Sequence, residues 1–205
     1  VVTPAITSGT TQSVVYGSAV SYTITASNTP TSFNASSLPA GLSINTSTGV
    51  VSGTVTANVG IVSSTISATN SAGTDSKTLT WTITPKALTI TGLSASGKVY
   101  DGNTNATLSG SAALNGIVGS DDVVLSGTGT GSFADKNTGN NKTVTVAGYT
   151  LGGVKAANYT FSAPSGLTAN ITAKALSIAA PSIASKVYDG SSATGTITTG
   201  ILSGF

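Results

Sequence analysis

Asp121-Asp122 is the one place in this chain where two carboxylates stand side by side. A glycosidase needs such a pair, facing one cleft across the scissile bond. Neighbours on a strand point to opposite faces, so these two cannot face one cleft by themselves. Following Gly119-Ser120, they suit an exposed, solvated turn. As metal ligands they fall far short of the roughly six to eight oxygens that Ca²⁺ takes.

Four other features invite a chemical reading. Tyr100-Asp101-Gly102 recurs as Tyr188-Asp189-Gly190. Tyr has an apolar body with a polar tip, Asp can hydrogen-bond its own backbone, and Gly accepts positive φ, so the triplet is expected to be a strand end entering a tight turn. Lys86 and Lys98, with apolar neighbours, could in principle form isopeptide crosslinks to Asn or Asp. That reaction also wants a buried acid, and with no Glu in the chain nothing fixes its position. Lysines near strand ends more commonly cover a sheet edge. Trp81, the only Trp, alternates with Leu79 and Ile83 and is expected in the core rather than on a sugar-binding surface. The sequons Asn34-Ala-Ser36 and Asn158-Tyr-Thr160 are expected by chance in so Asn- and Thr-rich a chain. No catalytic, cofactor-binding or metal-binding residue is therefore assigned, and no cofactor is expected.

The rest of the composition supports that restraint. There is no Cys, His, Met, Glu or Arg. Thiolate and imidazole chemistry, soft-metal sites and Ser-His-Asp triads are excluded within the chain. Charged residues make up 7% of it, and the net charge of +2 comes from scattered lysines, with no Arg and no aromatic ladder. Nucleic acid is an unfavoured partner. The mean hydropathy is +0.28, but Ser, Thr, Asn or Gly breaks every apolar run well short of the roughly 18 residues of a spanning helix. No basic segment followed by an apolar one opens the chain at Val1, so a secretion signal is expected elsewhere.

The elements that position these residues read as strands. Thr, Ser, Val and Gly favour strands and turns over helices. Val20, Tyr22, Ile24 and Ala26 alternate with Ser21, Thr23 and Thr25, and turn residues separate such runs. Strands are expected at 13–16, 19–26, 32–35, 42–45, 49–54, 61–69 and 74–84. A second set is expected near Leu88–Ile90, 98–100, 106–109, 123–127, 144–147, 159–161 and 167–171, with Gly-rich joints between them. Lys86-Ala-Leu-Thr-Ile90 recurs as Lys174-Ala-Leu-Ser-Ile178, and Lys98-Val-Tyr-Asp-Gly102 as Lys186-Val-Tyr-Asp-Gly190, both offset by 88 (174 − 86 and 186 − 98). The fold class expected is all-β: tandem immunoglobulin-like β-sandwich modules at 1–85 and 86–173, with an incomplete module at 174–205.

Residues 32–54, with Leu38-Pro-Ala-Gly-Leu-Ser-Ile44 and Thr48-Gly-Val-Val-Ser-Gly53, resemble the signature of the bacterial putative-Ig family, as does Asn70-Ser-Ala-Gly-Thr74. Residues 86–174 resemble the YDG repeat family through Tyr100-Asp-Gly102, Ser132-Phe-Ala-Asp-Lys136, Lys142-Thr-Val-Thr-Val146 and Ala157-Asn-Tyr-Thr160. The resemblance implies spacer modules of long bacterial surface or secreted, adhesin-like proteins, and it brings no site residues with it. The expected role is a non-enzymatic extracellular spacer. A filament subunit completed by strand addition through 174–205 and a carbohydrate-binding module are the alternatives. Expected partners are neighbouring modules or copies of the same protein, with glycans or host ligands reached through other domains. Neither nucleic acid nor a membrane span is expected.

Overall fold

The computed structural model describes residues 1–204, so Phe205, the last residue assigned to the incomplete module, lies outside the described residues. Seven strands fill the first 84 residues: β1 (Thr11–Val15), β2 (Ala19–Thr23), β3 (Ser32–Ser36), β4 (Leu42–Asn45), β5 (Val50–Thr54), β6 (Gly60–Asn70) and β7 (Gly73–Thr84). All seven overlap the expected ranges, but β1 runs Thr11–Val15 and leaves Tyr16 outside it, and β2 ends at Thr23, short of the expected Ala26. They form two sheets, β1-β7-β6-β3 and β2-β5-β4, with β1 parallel to β7 and the other pairs antiparallel.

The inward residues of the two sheets make the first core. Trp81, Leu79, Ile66 and Ala68 come from one sheet, and Tyr22 and Val51 from the other, joined by Ile24 and Ile6. Trp81 is fully buried. Its indole nitrogen donates to Ser64 Oγ at 3.0 Å, and that hydroxyl donates to the Ser37 carbonyl at 2.9 Å. A buried indole N–H needs such a partner, and Ser64 supplies it inside the sandwich.

After a single intervening residue, Pro85, the chain continues as β8 (Lys86–Ser96), β9 (Lys98–Val99), β10 (Asn105–Asn115), β11 (Val124–Phe133) and β12 (Gly139–Gly152). A 3-10 turn at Ala156–Asn158 then leads to β13 (Tyr159–Ser162) and β14 (Thr168–Thr172). Four two-residue strands follow: β15 (Ser177–Ile178), β16 (Ser182–Ile183), β17 (Ile197–Thr198) and β18 (Leu202–Ser203), paired β15-β18 and β16-β17.

The Gly-rich joints expected in this second set hold at Gly116–Gly119, between β10 and β11, but one of them is a correction. Gly127-Thr-Gly-Thr-Gly131 lies wholly inside β11. The reason is that several glycines kink a strand that goes on pairing. Gly92 and Gly127 have φ of 83° and 86°, and a Cβ at either would collide with a carbonyl oxygen, of Ser111 and Gly148 respectively. Only Gly permits that combination of backbone angle and close approach.

The chain forms two compact units. The first comprises Val1–Gly92, Ser111–Thr128 and Gly148–Pro164; the second comprises Leu93–Gly110, Gly129–Ala147 and the residues from Ser165 onward. Besides the core around Trp81, the first unit holds a core of Tyr16, Val55, Ile83, Leu88, Val123 and Tyr159. The second unit is built on Phe133, Val144, Ala169 and Ile171, with Tyr100 and Leu108 packed against them. Among the described residues no helix is long and apolar enough to cross a membrane.

Candidate functional site

A cluster of polar side chains lies where the first seven strands meet the following repeat, inside the first unit. Tyr16 leaves the end of β1, held by its N–H donating to the Thr84 carbonyl at 2.9 Å. Its ring packs edge-on against Tyr159 at the start of β13, with ring centres 5.4 Å apart and planes at 76°. Both hydroxyls donate to Asp121 Oδ2, Tyr16 at 2.8 Å and Tyr159 at 2.5 Å. The Tyr159 hydroxyl also accepts the Val118 N–H at 3.0 Å.

A second set of bonds lies beside it. Asn158 is buried, and its Oδ1 accepts the Val59 N–H at 2.9 Å while its Nδ2 donates to Asn58 Oδ1 at 3.0 Å. Lys155 Nζ donates to the same Asn58 oxygen at 3.1 Å. Underneath, Leu88 closes the shared core with Ile83 and Val55.

The electrostatics follow from burial. Burial first, then the hydrogen bond to the Asp121 carboxylate, pushes the Tyr159 phenol up to about 12. The same two causes, in the same order, raise Tyr16. The Tyr159 hydroxyl is the main influence that lowers Asp121, with help from Tyr16 and Lys155. At neutral pH the cluster is two neutral phenols donating to one carboxylate, an arrangement that fastens and does not transfer protons.

Asp121 is therefore more than a solvated turn residue. The turn itself is present, since Asp121 N–H donates to the Val118 carbonyl at 3.1 Å, but the carboxylate is tied to tyrosines from two repeats. Asp122 behaves differently: its Oδ2 accepts the Val154 N–H at 3.1 Å. The adjacent pair serves separate partners and does not converge.

Tyr100-Asp101-Gly102 is a turn built as the residue types require. Asp101 Oδ1 accepts the Asn103 N–H at 3.1 Å, and Gly102 has φ of 78°. The later copy repeats it, with Asp189 Oδ1 accepting the Ser191 N–H at 2.9 Å and Gly190 at 80°. The lysine three residues earlier is part of the motif: Lys98–Asp101 and Lys186–Asp189 are both ion pairs at 2.8 Å. Lys98 also donates to both oxygens of Asn103 at 2.8 Å and lies 5.6 Å from the centre of the Phe133 ring. Its ammonium is thus committed to an exposed turn, a poor setting for isopeptide condensation. Lys86 lies at the start of β8, paired through its backbone with Tyr159. Trp81 is a core residue, as expected. Among the described residues no three Asp stand close enough to hold a metal ion.

Sequence reasoning missed Tyr16, Asn58, Lys155, Asn158 and Tyr159 as parts of one cluster. The available signal was Ala157-Asn-Tyr-Thr160, read only as a family match and a chance sequon. Burial of Asn158 between repeats is what explains that motif.

Comparison with known proteins bears on both repeats. A family model described as "Putative Ig domain" matches residues 3–84, and one described as "YDG domain" matches residues 84–166. No curated protein matches the chain. Among solved structures, a protein described as a "putative alpha-galactosidase" from Bacteroides fragilis is 26% identical over 42% of this chain and 20% of its own, with a TM-score of 0.37. An I-band fragment of titin is 12% identical over 83% of this chain and 65% of its own, at 0.39. Fibronectin(III)-like modules of Clostridium thermocellum CbhA are 14% identical over 83% and 94%, at 0.29. The chain spans about a fifth of the length of the Bacteroides protein. With its strands, its sandwich core and both family matches in agreement, this is an all-β chain of tandem Ig-like modules, carrying a putative Ig domain over residues 3–84 followed by a YDG domain over residues 84–166.

Proposed function

We propose that this chain is a non-enzymatic spacer segment of a bacterial cell-surface or secreted adhesin-like protein, holding other domains at a distance and carrying load between them. The observation that supports this most directly is the joint. Pro85 alone separates β7 from β8, the two repeats share the core around Leu88, and Asp121 accepts a hydroxyl from each. Short, buried, hydrogen-bonded connections restrict relative motion, unlike Gly/Ser linkers. Both matched domains are non-catalytic kinds of fold, and a surface of hydroxyls and amides keeps such a segment hydrated with little attraction for polyanions. Its partners in this reading are neighbouring modules, with ligands bound elsewhere in the parent protein.

Single-molecule pulling from the two ends tests it. Unfolding should appear as discrete force-bearing steps, of whose released chain residues 3–84 alone contribute about 25–30 nm. Extension at low force with no discrete step would mean the segment carries no load, and the proposal would fail.

One observation favours a second reading, a filament subunit assembled by strand addition. Among the described residues β15 and β16 each have one partner strand, and Leu176, Ile178 and Ile183 are exposed beside them. Unpaired edges with apolar neighbours are templates for another chain. Light scattering across a range of concentrations should then show growth that is lost on deleting 174–205.

A further inference from the structure

The joint between the first two repeats is built from an end face with three landmarks, and the YDG repeat carries the same landmarks at its own far end. The first landmark is a tyrosine at the end of a strand that runs parallel to the last strand of its module. Tyr16 donates its N–H to the Thr84 carbonyl at 2.9 Å, and Tyr100 donates its N–H to the Thr172 carbonyl at 2.8 Å. Thr84 and Thr172 are equivalent under the offset of 88 that relates the repeats. The flanking ladders agree, with Val15 opposite Thr84 in β1-β7 and Val99 opposite Thr172 in β9-β14.

The second landmark is an Asn-x-Gly turn entering the strand that pairs with that last strand. Asn58-Val-Gly60 leads into β6, where Gly60 stands opposite Ile83. Asn137-Thr-Gly139 leads into β12, where Gly139 stands opposite Ile171. Ile83 and Ile171 are again 88 apart. The third landmark is the exit itself, Ile83-Thr-Pro-Lys-Ala-Leu88 against Ile171-Thr-Ala-Lys-Ala-Leu176.

At the first face these landmarks are occupied: Asp121 takes the Tyr16 hydroxyl, Asn158 takes Asn58 and Val59, and Val118 packs on Gly17. At the second, Tyr100, Asn137, Thr138 and Leu176 line an open cleft of about 700 Å³. Leu176 is 54% exposed, whereas its counterpart Leu88 is 1% exposed. Two differences stand between the faces: Ala173 replaces Pro85 in the exit, and Asp101 is inserted before the turn glycine, where it points to Lys98 rather than into the joint.

We infer that Tyr100, Asn137 and Thr138 form a docking face for a following YDG-type repeat, whose counterparts of Asp121, Asn158 and Tyr159 grip it as those residues grip Tyr16, Asn58 and Val59. The tyrosine of the repeated Tyr-Asp-Gly triplet is then the peg of a joint, and Asp-Gly is the turn that sets it. The inference rests on the reading of the chain as part of a repeat array, and it supplies the partner that reading needs.

The test is a chain in which residues 1–173 are followed directly by a second copy of 86–173, which keeps the phase of the repeat. Tyr100 nitration by tetranitromethane is followed by mass spectrometry in this chain and in the natural one, with Tyr16 as the protected internal standard. Burial shields the ring from reagent and a neighbouring carboxylate disfavours the reactive phenolate, so Tyr100 should react at least about tenfold more slowly in the longer chain. Asp121→Ala made only in the added copy should restore its reactivity. Unchanged reactivity of Tyr100 while hydrogen exchange shows the added copy folded would overturn the inference and leave the spacer reading standing. Failure of the added copy to fold would also overturn it, since the same sequence folds behind the first face. A spacer reading that failed under load, with Tyr100 nonetheless protected, would leave the docking face intact.

Discussion

Asp121 acts through two hydroxyls that reach it from residues 105 and 38 positions away. Neither distance is visible locally, which is why the sequence around Gly119-Ser-Asp-Asp122 reads only as a turn. The arrangement has a definite pH signature. Tyr159 ionises near 10 when unfolded and is pushed up to about 12 when folded, by burial first and by Asp121 second. A folded value above the unfolded one favours the protonated phenol. Its stabilisation is thus fully present below pH 10 and is lost as pH rises through about 12, because the unfolded chain releases its proton first. Asp121 is shifted the other way, so its contribution is present above the ordinary carboxylate range and fades as pH falls through its lowered value. Urea midpoints measured from pH 9 to 12 should fall for the natural chain and fall less steeply for Tyr159→Phe. Parallel curves for the two would show that the phenol is not the group responsible.

At the scale of elements, what was legible was whatever alternation records. Ser21, Thr23 and Thr25 face water while Tyr22 and Ile24 are buried, and most of the first seven strands were visible for the same reason; β5, with Val50 and Val51 adjacent, was marked by its flanking turns instead. The long strands of the YDG repeat were less legible, because Gly127-Thr-Gly-Thr-Gly131 carries no alternating apolar signal and glycine usually punctuates. Here a glycine bends a strand instead of ending it, and two substitutions separate conformation from close approach. Gly119 has φ of 53° with open space around it, so Gly119→Ala should cost only the left-handed backbone penalty, about 1 kcal/mol. Gly127 has φ of 86° and also abuts the Gly148 carbonyl, so Gly127→Ala must move a neighbouring strand and should cost about 2 kcal/mol or more. Equal losses in urea denaturation would show that the close approach adds nothing.

For the whole molecule the question is whether the two family domains are separate folding units threaded on one chain. The core around Leu88 argues that they are not. Tyr16, Val55 and Ile83 come from the Ig-like domain, Val123 and Tyr159 from the YDG domain, and Leu88, 1% exposed, packs with both groups. A large-to-small change in such a core removes transfer energy and leaves a cavity, about 2–5 kcal/mol for Leu→Ala. If the core is shared in energy as it is in space, that loss must be felt on both sides of Pro85. Leu88→Ala should therefore reduce amide protection in β6 and in β13 together. Phe133→Ala, in the separate core of the second unit, should spare β6. Loss confined to residues 84–166 after Leu88→Ala would mean that each domain holds its own stability and the joint only aligns them. Loss on both sides would make the joint a structural element in its own right, and an array of such joints would resist unfolding as a cooperative series.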